Sequence, residues 1–334
     1  MDVIGRPEPQ DGVFVDVFAG TGVVSREAAV RGWRVCANDH LLSSAAITTA
    51  QLVSEEDVPF RNFGGYWAAL IELGKSDFYE GFIFHEYSPS GQSRSGHKRL
   101  YFTCENAARI DGLRRRVSEW VDSSTITPHE EKLLIADLLF AANAVANIAG
   151  TYGCFLRTWG TTAVRSLQLT PRPLMPRKHD FEVLTLDAFH VPTCPEDVAY
   201  LDPPYTKRQY AAYYHVLETI TAGDNPVVEG ITGLRPWESK SSLFCYKRHA
   251  LKAIARLIDC VDARRVFLSY SSEGHVSLDE LKGVLSDLGA VRAYPMGNIG
   301  RYRPNQVARD NGENVEEYLV SLAKVETASL VVAK

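Results

Sequence analysis

Strand and helix signals alternate at both ends of this chain, and a long helical stretch with no strand signal separates them. That pattern predicts an α/β fold: a doubly wound sheet built from residues 1–52 and 179–334, interrupted by a largely helical insertion over 53–178. Two motifs at predicted strand ends, a Gly-x-Gly turn and an Asp-Pro-Pro-Tyr stretch, place the chemistry at the carboxyl edge of that sheet.

The first strand is the apolar run Val13-Phe14-Val15-Asp16-Val17, which enters the turn Gly20-Thr21-Gly22 and a helix over about 23–31. A second strand over 33–37 ends in Asn38-Asp39, and the β-α-β-α opening runs to about residue 52. Residues 53–103 read as irregular, with Phe63-Gly64-Gly65-Tyr66-Trp67 and a Ser/Gly-rich loop over 88–96. Helical periodicity dominates 105–149, and 130–148 is apolar enough to be mostly buried. Strands follow at 181–186 and 198–201, the second stopped by Pro203-Pro204. Helices at 207–220 and 246–260 and a strand at 266–270 come next. A capping box, Ser277-Leu278-Asp279-Glu280, opens a further helix, and strands at 291–294 and 317–322 complete the sheet.

In Tyr200-Leu201-Asp202-Pro203-Pro204-Tyr205 the strand stops and projects two acceptors, the Asp202 carboxylate and the Pro203 carbonyl. Together they match the two hydrogens of an exocyclic amino group, and the Tyr205 ring offers a face on which a planar base can stack. Taken alone, the stretch reads more readily as a rigid turn after a strand. The upstream turn lacks the third glycine of a dinucleotide site, where Ser25 stands, and lacks the Gly-Lys-Ser/Thr of a phosphate loop. With an acid, Asp39, at the tip of the second strand to hold ribose hydroxyls, it suits a nucleoside ligand without a pyrophosphate, such as S-adenosylmethionine.

These residues resemble the amino-group DNA methyltransferases, in the N6-adenine group whose cofactor motif precedes the recognition region and the catalytic tetrapeptide. The matching stretches are Asp16-Val17-Phe18-Ala19-Gly20-Thr21-Gly22, Asn38-Asp39, Asp187-Ala188-Phe189 and Asp202-Pro203-Pro204-Tyr205. Lys207-Arg208-Gln209-Tyr210, Tyr214 to Glu218, Gly150-Thr151-Tyr152-Gly153 and Ser269 to Gly274 resemble one branch of it. The resemblance covers nearly the whole chain in order. It implies a Rossmann-like methyltransferase sheet with an inserted target-recognition region. It implies S-adenosyl-L-methionine bound by Asp16, Phe18, Ala19, Gly20, Thr21, Gly22, Asp39, Asp187, Phe189 and Asp202, with catalysis by Asp202, Pro203, Pro204 and Tyr205. Asp187 resembles the acid that bonds the cofactor's adenine amino group. The reaction implied is methyl transfer to adenine N6 in double-stranded DNA, with the base rotated out of the helix. Methylation of cytosine N4 or of RNA adenine stays open as an alternative, as does a catalytically silent DNA-binding homologue. Members of the group carry, ahead of the cofactor motif, a turn rich in Gly and Lys/Arg that helps enclose the methionine end of the cofactor. Residues 1–12 do not resemble it, so the expectation is a pocket open on that side, with tighter cofactor binding when duplex is present.

Of the 334 residues 45% are hydrophobic, no apolar run suggests a membrane span, and no signal pattern opens the chain, so the expectation is a cytoplasmic protein. Six cysteines without a Cys-x-x-Cys read as reduced thiols, and His215 with Glu218, three apart on one helix, reads as packing rather than a metal pair. No metal is expected. A net charge of −5 argues against indiscriminate coating of nucleic acid. Locally, residues 88–120 carry seven Lys/Arg against three acids, and 154–179 carry five and none. Arg94, Lys98 and Arg99 of the first segment are candidate phosphate contacts, with Arg208 and, in a basic, glycine-flanked loop, Arg301 and Arg303. The expected partners are double-stranded DNA and a cognate restriction endonuclease, with the chain a monomer or weak dimer.

Overall fold

In the computed structural model, residues 1–91, 93–94, 96–299 and 315–324 are described. The opening unit is β1 (Phe14–Asp16), α1 (Val23–Val30), β2 (Val35–Asn38) and α2 (Leu42–Leu52). After the insertion come β3 (Phe181–Leu184), β4 (Val198–Leu201) and β5 (Arg265–Ser271), then β6 (Gly289–Ile299) and β7 (Val315–Lys324). They form one sheet in the order β3-β2-β1-β4-β5-β7-β6, parallel except for β7, which runs antiparallel to both neighbours. Side chains alternate across the sheet, as the two-residue repeat of a strand requires. Val15, Ala199, Leu201, Val266, Leu268 and Val320 pack on one face in a cluster with residues 250–258 and 281–285. Phe14, Val198, Phe267 and Leu319 point to the other face, where Ala28 and Ala29 of α1 lie. Both faces are thus covered, which explains why the central strands read as apolar runs.

The insertion contains α3 (Tyr66–Gly74), α4 (Phe82–Tyr87), α5 (Cys104–Asp122) and α6 (Pro128–Ala144). Two of these, α3 and α4, fall where the sequence predicts irregular chain. Glycines flank both and read as loop signals, and the start of α4 is capped from a distance. Asp111 of α5 accepts the amides of Gly81, Ile83 and Phe84 at 3.1, 3.1 and 2.8 Å. The insertion is not free-standing. Its core, with Leu73, Phe102, Ile110, Leu113 and Leu133, runs on to Ala46 and Ala50 of α2 and to Val216, Leu217 and Ile220. Its two ends meet in a bridge between Ser54 and Met175.

The helix expected over 207–220 is broken into α7 (Tyr210–Tyr213) and α8 (His215–Ala222). The carbonyl of Tyr213, which a continuous helix would use for the amide four residues on, accepts Tyr152 N–H at 2.9 Å instead. His215 opens α8 fully buried among Tyr87, Tyr101 and Tyr152, its Nε2 3.0 Å from the Tyr152 carbonyl. Burial pushes its pKa down to about 4, so it sits neutral. The remaining helices are α9 (Ala250–Cys260) and α10 (Leu278–Ser286), the latter opened by the reciprocal Ser277–Glu280 capping box. No helix among the described residues is long and apolar enough to cross a membrane.

Arg99, expected at a phosphate, is instead fully buried. Its Nη1 lies 2.8 Å from Glu86 Oε2, and it donates to the carbonyls of Glu86, Gly230 and Ile231 at 2.9, 3.0 and 3.0 Å. The charge that looked like a DNA contact clamps α4 to a distant turn. Arg99→Ala leaves Glu86 a buried, unpaired carboxylate and should cost about 3–5 kcal/mol of unfolding free energy in urea titrations. Lys98→Ala, one position away and exposed, should stay within about 0.5 kcal/mol of the parent.

Candidate active site

β1 pairs in parallel with both β2 and β4, Asp16 lying opposite Ala37 and Tyr200, and β2 pairs with β3 so that Asn38 meets Leu184. Neighbouring strands therefore leave the sheet side by side. Along the carboxyl edge stand, in order, Asp187 after β3, Asp39 after β2, the Gly20–Gly22 turn after β1 and Asp202 after β4. Strand order reverses between β1 and β4, the position where an open α/β sheet leaves a crevice for a ligand. Residues 1–12 pack at the opposite edge, where Gly12 N–H bonds the Glu196 carbonyl and Trp33 Nε1 bonds the Gly5 carbonyl.

The turn depends on two left-handed glycines, Gly20 at φ 54° and Gly22 at φ 75°. A Cβ on Gly22 would come within 2.8 Å of the Thr48 Cα in α2. Asp39 holds the turn in place, accepting Gly20 N–H on Oδ2 at 3.0 Å and Leu41 N–H on Oδ1 at 2.9 Å. Burial pushes its carboxyl up to about 6, against the pull of those amides. The Ser44 side chain is a third donor, which leaves the carboxylate room for one more. Asn38 stitches the strand ends together: Nδ2 donates to the Val17 and Leu186 carbonyls at 3.1 Å each, and Oδ1 accepts Leu186 N–H at 2.8 Å.

Asp16 is buried beneath the turn. Ser25, the residue standing where a dinucleotide motif has its third glycine, donates to Asp16 Oδ2 at 2.7 Å. The other oxygen, Oδ1, is buried with no hydrogen-bond partner in the protein. Burial pushes this carboxyl up to about 7, and the charges of Asp202 and Asp39 add to the rise.

Beyond β3, Phe189 lies against Phe244, ring centroids 5.7 Å apart and 12° from parallel, with the Arg256 guanidinium 4.9 Å from the Phe189 centroid. Phe18 meets the Phe244 edge at 5.5 Å. Phe244 thus joins two expected cofactor residues into one aromatic wall. Sequence reasoning missed it, because nothing local marks a phenylalanine within a short 3-10 turn, Leu243–Cys245. Asp187 is exposed, and its Oδ1 caps its own turn by accepting Phe189 N–H at 3.0 Å.

Asp202 keeps contact with solvent, yet the surrounding protein desolvates its carboxyl and pushes it up to about 6. Glu317 on β7, paired with Ser271 of β5, adds to the rise and Ser269 opposes it. The half-buried Tyr205 ring packs on Tyr270 at 5.7 Å, and its carbonyl accepts His275 N–H at 3.1 Å. The following stretch is braced from the other side. Gln209 exchanges two hydrogen bonds with the Ser242 backbone at 3.0 and 2.8 Å, and Cys245 Sγ donates to the Arg208 carbonyl at 3.1 Å. Glu218 serves packing of another kind: it accepts the Leu42 and Ser43 amides that open α2 at 3.0 Å each, with Lys240 Nζ at 2.7 Å. Burial works to raise its carboxyl, but Lys240 and those amides bring it below its ordinary range. Among the described residues no group of three His, Cys, Asp or Glu is placed to hold a metal.

Of the expected phosphate contacts, Arg94, Lys98 and Arg208 are exposed, while Arg301 and Arg303 lie outside the described residues. In the first basic segment, residues 88–120, three of the seven cations are structural, Arg99 among them. Arg109 donates to the Ser76 and Gly74 carbonyls, and Arg114 reaches the Ile220 and Thr221 carbonyls at the end of α8 at 3.0 and 3.2 Å. In the second basic segment Arg172 pairs with Asp137 at 2.8 Å, but Arg157, Arg165, Arg177 and Lys178 are exposed.

Residues 1–283 match the family described as D12 class N6 adenine-specific DNA methyltransferase. Over 318 residues the chain is 32% identical to the Type II methyltransferase M.FokI of Planomicrobium okeanokoites, covering 93% of this chain and 48% of that protein. It is 29% identical over 281 residues to the Modification methylase StsI of Streptococcus sanguinis, covering 82% of this chain and 42% of that one. With the Type II methyltransferase M.NlaIII of Neisseria lactamica it shares 32% identity over 287 residues, covering 84% and 80% of the two chains. The chain therefore spans about half the length of the first of these relatives and most of the last. A doubly wound sheet with a Gly-x-Gly turn and an Asp-Pro-Pro-Tyr loop on one edge, in a sequence that matches over residues 1–283, makes this chain a member of the D12 class N6 adenine-specific DNA methyltransferase family.

Proposed function

We propose that this chain transfers a methyl group from S-adenosylmethionine to N6 of adenine in a specific double-stranded DNA sequence, after rotating the base out of the helix. The observation that carries the reading is the β1–β4 register, which sets the Gly20–Gly22 turn and the Asp202–Tyr205 loop on adjacent strand ends. A cofactor reactive group and a target amine held there are neighbours by construction.

The residues fit S-adenosylmethionine. Gly22 leaves bare backbone where a side chain would strike α2, Asp16 Oδ1 awaits a donor, Asp39 keeps room for a ribose hydroxyl, and Phe18, Phe189 and Phe244 offer an aromatic wall. When bound, the cofactor supplies an electrophilic methyl on its sulfonium. The protein's part is orientation. The Asp202 carboxylate and the Pro203 carbonyl accept the two N6 hydrogens and make the nitrogen more pyramidal, turning its lone pair toward the methyl. Pro203 and Pro204 hold that acceptor pair rigid, and the Tyr205 ring, braced by Tyr270, stacks on the base. A carboxyl raised to about 6 also suits Asp202 to take the proton that the methylated nitrogen sheds. The Asp at 202 favours adenine over cytosine N4, whose enzymes place Ser there.

The relatives' names, Type II methyltransferase and Modification methylase, support a role in protecting DNA beside a cognate restriction endonuclease. Double-stranded DNA is the partner the exposed Arg94, Lys98, Arg208, Arg157 and Arg165 suit. The six free thiols support a cytoplasmic location.

Asp202→Ala should abolish tritiated methyl transfer to DNA, with cofactor binding by calorimetry only modestly weaker. Most activity surviving would remove Asp202 from catalysis. In the parent, the acceptor must be ionised, and its folded pKa is raised. Methylation should therefore climb with pH through about 6 and level off above it, in pH profiles of kcat/KM.

Asp39→Ala deletes a ribose acceptor and the clasp on Gly20 together. Cofactor affinity should fall by about 1–3 kcal/mol, with DNA affinity by fluorescence anisotropy little changed. Unchanged cofactor affinity would place the ribose elsewhere.

A further inference from the structure

Residues 229–234, beyond α8, form a tight turn closed by reciprocal backbone hydrogen bonds between Glu229 and Leu234 at 2.9 and 2.8 Å. Gly230 and Gly233 take the left-handed conformations, φ 66° and 68°, that such a turn requires. Ile231 stands at its tip with 67% of its surface exposed.

The backbone under that exposed side chain is anchored from the interior. Arg99 Nη2 donates to the Gly230 carbonyl and Arg99 Nε to the Ile231 carbonyl, both at 3.0 Å, so the two peptide groups around Ile231 share one guanidinium. Tyr87 OH donates to the Gly233 carbonyl at 2.8 Å. Arg99 and its partner Glu86 are 0% and 2% exposed. A buried ion pair carries a desolvation cost that apolar packing does not, and removing one partner of it is strongly destabilising. Here it immobilises an aliphatic side chain held out in water.

The turn also stands beside the active site. Thr232 and Leu234 line a cleft of about 350 Å³ together with Ala212, Tyr213, Thr151 and Gly153. Tyr213 belongs to α7, which opens five residues after Tyr205. From the turn the chain runs on to Lys240, bonded to Glu218 at the start of α2, and to Ser242, bonded to Gln209. Those two bonds tie the segment that follows the turn to the start of α2 and to the chain just after the Asp202–Tyr205 loop.

We propose that Ile231 is a wedge that enters the duplex and fills the stack vacated by the target adenine. The proposal rests on the reading of the chain as a duplex DNA adenine methyltransferase. Apolar side chains placed between base steps unstack them, and a base leaving the helix opens a gap walled by apolar base faces. A branched aliphatic chain matches that gap, and a backbone already locked by Arg99 loses little further freedom on entering it. The flanking glycines let the turn approach the strands closely. Ile231 is thus a positioning residue, acting on the base through the stack.

Ile231→Ala removes an exposed side chain and no core contact, so it tests the wedge without unsettling the fold. Methyl transfer is measured in single turnovers on two short duplexes carrying the sequence that the parent methylates, one matched and one with an abasic site opposite the target adenine. A target without its partner costs less to extrude. Ile231→Ala should lose about tenfold on the matched duplex and less than about twofold on the abasic one, while Ile231→Leu stays near the parent. Equal losses on both duplexes, or none on either, overturn the wedge while leaving the methyltransferase reading intact. A parent that methylates no DNA overturns both.

Discussion

The amide of Gly20 donates to the carboxylate of Asp39, and the same carboxylate accepts the amide that leads into α2. Through that one side chain the ends of β1 and β2 and the start of a helix become a single rigid unit. The turn can then tolerate two left-handed glycines and a buried, half-satisfied Asp16 beneath it. Parallel register does the rest: with β1 paired to β4, the position of the Gly20–Gly22 turn dictates that of Asp202. The acids crowded along this edge, Asp16, Asp39 and Asp202, all have raised pKa values, because the protein desolvates them faster than it neutralises them. A ligand that brought donors to these acids would relieve that desolvation.

The insertion is held to this edge by polar clamps more than by charge on its surface. Glu218 caps α2 across the interface, Arg114 closes the end of α8, and Arg99 locks the turn around Ile231. Basic residues counted along the sequence cannot separate these clamps from phosphate contacts, because both roles need a guanidinium with several donors. Burial separates them. Arg94, Lys98, Arg157 and Arg165 face solvent, and Arg99 does not.

Much of the architecture was legible in the residues, and the exceptions share a cause. β4 begins and ends where expected, because an apolar run meets two prolines, and α10 starts at a capping box whose partners lie three residues apart. Those signals are local. The cap of α4 is Asp111 on another helix, the break between α7 and α8 follows from an amide of the insertion, and Phe244 joins the aromatic wall from far along the chain. None leaves a trace within a short window. The candidate site residues could be proposed from sequence for the same reason: Asp202 to Tyr205 and Gly20 to Gly22 are contiguous stretches at strand ends. The phosphate contacts were the weakest reading, with Arg99 turned inward and Arg301 and Arg303 outside the described residues.

The central claim is that the edge bearing Asp39, Gly20 and Asp202 methylates an adenine amino group in DNA. Methylation-aware sequencing of DNA from cells expressing the chain, beside cells expressing Asp202→Ala, tests it most directly. N6-methyladenine should appear at one recurring sequence context with the parent and not at all with the variant. Methylation of cytosine N4, or no modified base at all with the parent, would contradict it.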